Sequence, residues 1–110
     1  MQKFIKGATV MVEELGQGVS RKILGHDSDL MLVKVYFEKD AVGAPHQHPH
    51  QQVSHVLEGE FEVAIEGEKE ILRQGDGFVV PSNARHGVVC REKGILLDAF
   101  SPMRTDFIKG

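Results

Sequence analysis

With a single cysteine in 110 residues, Cys90, the chain cannot close an internal disulfide, so nothing in it requires an oxidising compartment. Long apolar runs are missing as well: no stretch approaches the roughly 20 residues of a membrane span. The opening Met1-Gln2-Lys3-Phe4-Ile5-Lys6-Gly7 lacks the apolar run of a secretory signal. The expectation is a cytoplasmic protein without a membrane partner. No basic block occurs either. The 13 lysines and arginines are scattered, and 16 acidic residues bring the net charge to −3, which argues against a nucleic-acid partner. Helical periodicity is absent over any window long enough to sustain a helix.

What is present is a series of short apolar segments rich in β-branched residues, separated by glycine and polar turns, at 8–15, 19–24, 30–37, 53–57, 61–65, 77–80, 87–90 and 94–100. In 30–37, Met31, Val33, Val35 and Phe37 fall on one face, and Phe61-Glu62-Val63-Ala64-Ile65 alternates in the same way. The fold class is therefore all-β. Glu58-Gly59-Glu60 and Glu66-Gly67-Glu68 each suit a tight hairpin turn with a glycine at positive φ. Eight or more short strands favour a small barrel or sandwich, in which closure removes exposed edges. One domain over residues 1–110 is expected, with a single modest core. Near the end, Ser101 at an N-cap and Pro102 at the first helical position predict one short helical turn. The apolar segment 8–12 is a candidate edge strand that pairing in a homodimer would cover.

The chemistry concentrates in His46-Gln47-His48-Pro49-His50-Gln51-Gln52 and, further on, His86. Imidazole is the commonest protein ligand for borderline metals at neutral pH. Alternate residues of a strand share a face, so His46 and His48 can project inward together, and Gln52 has the same parity. His86, at the start of another strand, would close the site from across the barrel. Three imidazoles and one amide oxygen result, with Gln52 readable either as a ligand or as a hydrogen-bonding wall residue. Pro49 disturbs the strand at His50, which is assigned to the surroundings of the site. His55 has the opposite parity, and His26 stands alone near a turn. Cys90 shares the parity of His86 and Val88 and reads as a small buried hydrophobe, with thiolate ligation as the alternative.

These residues resemble the cupin family over nearly the whole chain. Residues 43–59, from Gly43-Ala44-Pro45-His46 to Leu57-Glu58-Gly59, look like the first cupin motif, and residues 75–87, from Gly75 through Pro81 to His86, look like the second. The resemblance implies a small jelly-roll β-barrel holding a divalent transition metal, with nickel, zinc, iron, manganese and cobalt all compatible with the ligand set. The first motif usually supplies a glutamate where this chain has Gln52. A neutral ligand set leaves the +2 charge uncompensated and favours a small anionic substrate.

A closer similarity is to the KdgF-like cupins of pectin and alginate degradation, carried by His46, His48, Gln52, His86 and the tail from Gly94 to Phe107. That similarity implies ring opening and ketonisation of 4,5-unsaturated uronate monosaccharides. It gives functional roles to Asp98, Phe100 and Arg104. Leu96, Asp98 and Phe100 share one face of the last strand, and an aspartate among apolar residues is costly to bury unless paired or used. On this reading Asp98 shuttles a proton, Arg104 clamps a carboxylate and Phe100 forms an apolar wall. A structural ion pair for Asp98 and a solvent-facing Arg104 are the plainer readings. A cupin dioxygenase and a non-catalytic sugar-acid or metal-binding module are the alternatives for the whole chain.

Overall fold

In the computed structural model, which describes residues 2–108, eight strands follow one another. They are β1(Glu13–Gly16), β2(Val19–His26), β3(Met31–Phe37), β4(Val42–His46), β5(Gln51–Ile65), β6(Glu68–Arg73), β7(Gly77–Val80) and β8(His86–Ser101). Single 3-10 turns at Gly7–Thr9 and Thr105–Phe107 are the only helical structure among the described residues. The all-β expectation holds; residues 1, 109 and 110 of the expected domain lie outside the described part.

Two long antiparallel strands organise everything else. β5 and β8 pair from Gln51↔Ser101 to Ile65↔His86. One half of β8 carries β3 and the other carries β4, while β5 carries β7 over Gln52–His55 and β6 over Glu60–Ile65. β2 extends the sheet beyond β3, and β1 extends it beyond β2. The result is jelly-roll-like, but the sheet is not closed: β1 and β6 stand at the ends of its hydrogen-bonded path.

The length of β5 and β8 corrects the expectation of separate strands at 53–57 and 61–65 and at 87–90 and 94–100. Gly59 is not a hairpin turn. It has φ of +88° inside β5, where the register against β8 shifts, and a Cβ there would lie 2.5 Å from the Lys93 carbonyl oxygen. A glycine that lets two backbones touch produces a bulge, and the strand bends without stopping. Gly67 does form the predicted turn: Glu66 and Gly67 both have positive φ, at 48° and 85°, between β5 and β6.

Alternation fixes the interior. Met31, Val33 and Phe37 are buried on β3, as are Val56, Phe61 and Val63 on β5 and Val88, Cys90, Leu96 and Phe100 on β8. The apolar residues form two clusters, a larger one around Phe61, Val56 and Leu96 and a smaller one of Met31, Val33 and Phe100. Met103, Phe107 and Ile108 from the tail pack on the smaller cluster. Cys90 is the small buried residue expected, and burial pushes its thiol pKa up.

Both chain ends depart from the sequence reading. Residues 8–12 are not an edge strand: Gly7–Thr9 turns, and the first strand starts at Glu13. The C-terminal turn begins at Thr105, so Ser101 is not its cap and Pro102 is not its first residue; Ser101 still belongs to β8.

Because Gly67 faces open space and Gly59 faces the Lys93 backbone, the two glycines should respond differently to alanine. Gly67→Ala should cost about 1–2 kcal/mol from left-handed strain alone, and Gly59→Ala about 2–5 kcal/mol once the steric clash is added. Urea denaturation of the two variants measures the difference, and equal losses would contradict the bulge assignment.

Candidate metal centre and its cavity

His46 is the last residue of β4 and pairs directly with His86, the first residue of β8. His86 thus enters from the neighbouring strand and not from across a barrel. His48 lies beyond the end of β4, in the turn leading to β5, so strand alternation is not what brings it beside His46. The second motif does that. Asn83 donates its backbone N–H to the His48 carbonyl at 2.8 Å, and the Ser82 hydroxyl donates to the Pro49 carbonyl at 2.6 Å. Residues 82 and 83, four and three residues before His86, therefore hold the turn that carries His48.

The three rings converge. Their ligand-capable nitrogens lie within 4.8 Å of one another, with His48 and His86 buried and His46 exposed, so the cluster opens to solvent on one side. Each ring uses its Nδ1 in the same manner: toward the Ala44 carbonyl from His46 (2.9 Å), the His50 carbonyl from His48 (3.0 Å) and the Ala84 carbonyl from His86 (3.0 Å). A carbonyl only accepts, so each Nδ1 carries the proton and each Nε2 presents a lone pair. Second partners of this kind orient metal-binding imidazoles. Burial lowers the pKa of His48 and His86, with Arg104 lowering His48 further, which keeps both rings neutral and able to ligate at pH 7.

Gln52, on β5, is also buried, and its Oε1 lies 3.1 Å from His48 Nε2. Its Nε2 donates to Ser54 Oγ at 2.9 Å, and Ser54 Oγ donates to Asp98 Oδ1 at 2.6 Å. Followed from the carboxylate outward, every bond has a fixed sense, and the chain ends with an amide oxygen facing an imidazole lone pair. Two acceptors at that distance repel unless a cation lies beside both or the imidazole takes a second proton, which its lowered pKa opposes. The donor set of three imidazoles and an amide oxygen thus fits a divalent transition metal. The residues would hold it through His46, His48 and His86 Nε2, with Gln52 Oε1 as the fourth donor.

The remaining histidines are not among the converging ligand atoms. His50 has its ring 5.5 Å from that of His48 and its buried Nδ1 is without a hydrogen-bond partner. His55 and His26 are exposed on β5 and at the end of β2.

A cavity of about 210 Å³ joins this cluster to the tail, lined by His46, Gln52, His86, Asp98, Phe100 and Arg104 among others. Asp98 pairs with Ser54 and not with an arginine, so no structural ion pair accounts for it. Burial pushes its pKa up to about 6, against the lowering effects of the Ser54 hydrogen bond and of Arg104. Arg104 is not solvent-facing: its side chain is only 11 % exposed. Two charge-assisted bonds to Asp106, Nε–Oδ1 at 3.0 Å and Nη2–Oδ2 at 2.8 Å, hold the guanidinium over the rings of Phe100 and Phe107. These contacts depress the Asp106 pKa.

Three lining or linking residues, Ser54, Arg21 and Phe107, are not singled out individually by the sequence. Ser54 could have been found by parity, since 52, 54 and 56 share the buried face of β5. Arg21 and Phe107 could not. Arg21 reaches the cavity from β2, pairs with Glu13 at 3.3 Å and places its guanidinium carbon 3.8 Å from the centre of the Phe107 ring, a contact between residues 86 positions apart.

Comparison with known proteins agrees with this architecture. The cupin domain family matches residues 33–100. A pectin degradation protein, KdgF, from Dickeya dadantii is 52 % identical over 98 residues, covering 87 % of this chain and 89 % of that protein. Among solved structures, an RmlC-like cupin from Shewanella frigidimarina superimposes with a TM-score of 0.95 at 45 % identity, covering 98 % of this chain and 97 % of its own. KdgF from a Halomonas species does so with a TM-score of 0.92 at 42 % identity, covering 96 % and 100 %. The match takes in both histidine-bearing motifs and the strands that position them, and the chain belongs to the cupin family.

Proposed function

We propose that this protein is a metal-dependent enzyme that opens the ring of 4,5-unsaturated uronate monosaccharides derived from pectin or alginate and delivers their open-chain keto form. The observation that carries the proposal is the shared cavity: a buried carboxylate with a raised pKa and an arginine open onto the same space as His46 and His86 of the three-histidine cluster. Similarity to KdgF of Dickeya dadantii, a pectin degradation protein, supplies the substrate class. The cavity volume of about 210 Å³ lies below the roughly 300 Å³ at which pockets for drug-sized ligands begin, which suits a monosaccharide better than a polymer.

Ring opening is an isomerisation, so no atom leaves. A base takes the proton of the anomeric hydroxyl, the bond from the anomeric carbon to the ring oxygen breaks, and an aldehyde and an enolate form. The same proton, delivered to the former alkene carbon, completes the ketone. On this reading Asp98 holds it in between. At pH 7 a carboxyl with a pKa of about 6 is mostly ionised, yet basic enough to take up a proton, the balance that general acid–base catalysis uses. Arg104 offers Nη1, which Asp106 leaves free, to the substrate carboxylate, and Phe100 gives the sugar an apolar wall. Arg21 adds positive charge to the same cavity. A divalent metal held by His46, His48, Gln52 and His86 supplies electrostatic stabilisation of the negative charge that develops on oxygen.

The proposal includes a single functional unit spanning the chain, a cytoplasmic location in keeping with the lone thiol of Cys90, and a homodimer. Dimerisation now rests on exposed apolar side chains and not on an edge strand: Phe4 and Met11 are 85 % and 83 % exposed, and Val12, Leu15 and Leu30 are also exposed.

The loss of ultraviolet absorbance of the unsaturated acid reports turnover. The metal-loaded wild type should accelerate it and chelation should abolish the acceleration, while Asp98→Asn should slow it by about 10²–10⁴-fold. A metal-loaded wild type no faster than buffer refutes the reading, as does oxygen uptake accompanying turnover. The profile of kcat/KM should rise with pH up to about 6 and level off above it, because the raised Asp98 must lose its proton before it can accept one. Stability of the metal-free protein should respond in the opposite sense. The native carboxyl keeps its proton up to about 6 and the unfolded one releases it near 3.8, so the contribution of Asp98 falls as pH climbs through that window and is flat in Asp98→Asn. For the dimer, sedimentation velocity should give twice the 12.2 kDa chain mass, and Met11→Asp should shift it toward the monomer; a wild type that sediments as a monomer at all concentrations refutes it.

A further inference from the structure

We infer that Ser54 is a positioning residue for the metal centre: its hydroxyl, bonded to both Gln52 and Asp98, locks the Gln52 amide with its oxygen turned toward the histidines. The inference rests on the metal-site reading above and assigns a residue outside the donor set.

An amide has two ends of nearly equal shape and opposite polarity, so burial alone does not select which end faces the site. Glutamate in the same position would present an oxygen whichever way it turned. A glutamine ligand therefore needs something to read its orientation. Ser54 is 2 % exposed and its single proton goes to Asp98 Oδ1 at 2.6 Å, which leaves the hydroxyl only lone pairs to offer Gln52. Only the NH2 end can meet them, at 2.9 Å, so Oε1 is delivered to within 3.1 Å of His48 Nε2. The backbone register enforces the contact, because Ser54 is paired with Asp98 between β5 and β8 and stands two residues from Gln52 on the same inward face.

Without the hydroxyl the preference reverses. The turned amide would donate its NH2 to the His48 lone pair, a satisfactory hydrogen bond that occupies the nitrogen a metal needs. Ser54 thus raises metal affinity by denying Gln52 its competing orientation, and it does so without touching the metal.

The test is the dissociation constant for Ni²⁺ or Co²⁺, measured on metal-stripped protein by competition with a chromophoric chelator. Ser54→Ala should weaken binding about 10–100-fold, the range found for groups that orient metal ligands, whereas Ser54→Thr, which keeps the hydroxyl, should stay within about threefold of wild type. In a Gln52→Glu background, where orientation no longer matters, adding Ser54→Ala should change the constant by no more than about threefold. Thermal melting of each metal-free variant separates this coupling from a general loss of stability, which would be the same in both backgrounds. If Ser54→Ala does not fold, Ser54→Thr against Ser54→Val, equal in shape, makes the same comparison. Wild-type affinity in Ser54→Ala, or an equal loss in both backgrounds, overturns the inference and leaves the metal site standing. A wild type that binds neither ion overturns the metal reading and the inference with it.

Discussion

Across the pairing of β5 with β8, Ser54 donates a 2.6 Å hydrogen bond to the buried carboxylate of Asp98, and the polar interior is arranged around that contact. A carboxylate buried among apolar residues is costly unless it is hydrogen-bonded or used. Along β8 it sits between Leu96 of the larger apolar cluster and Phe100 of the smaller one, so the core is interrupted by one polar layer. That layer continues through Gln52 to His48. Slipping either long strand by one residue would turn the layer outward and bring Gln51, Val53 and His55, or Leu97 and Ala99, to the inner face in its place, so the register that builds the core also builds the site.

Charge in the cavity follows a consistent arrangement. The candidate metal donors are neutral, and the two guanidiniums that line the space, Arg104 and Arg21, each lean on an acid, Asp106 and Glu13. Those acids hold the guanidiniums in place while leaving the cavity itself with cationic and neutral groups apart from Asp98. In these surroundings Asp98 is the one carboxylate, and burial raises its pKa to about 6 despite the nearby Arg104.

Much of the fold and of the candidate site could be read from the chain because it is written in local patterns. The buried face of β3 is visible in Met31, Val33 and Phe37, and that of β8 in Leu96, Asp98 and Phe100, through simple alternation. The histidine spacing singled out the three rings that converge in the structure, although strand alternation is not what joins them: His48 meets His46 through the turn that Ser82 and Asn83 hold. Gly59 misled because a glycine at positive φ serves a bulge as well as a turn, and only the partner strand's Lys93 backbone distinguishes them. Arg21 and Phe107 meet through tertiary packing alone, which leaves no local pattern to read.

The central claim is that the Nε2 lone pairs of three histidines and a Gln52 oxygen of fixed orientation surround one metal ion in the cavity that Asp98 and Arg104 share. Anomalous diffraction at the absorption edge of the metal, from crystals of the Ni²⁺- or Co²⁺-loaded protein, tests it most directly. The account predicts a single strong peak within bonding distance of His46, His48 and His86 Nε2 and of Gln52 Oε1. A peak bound through Nδ1 or His50, or none at the cluster, would contradict it.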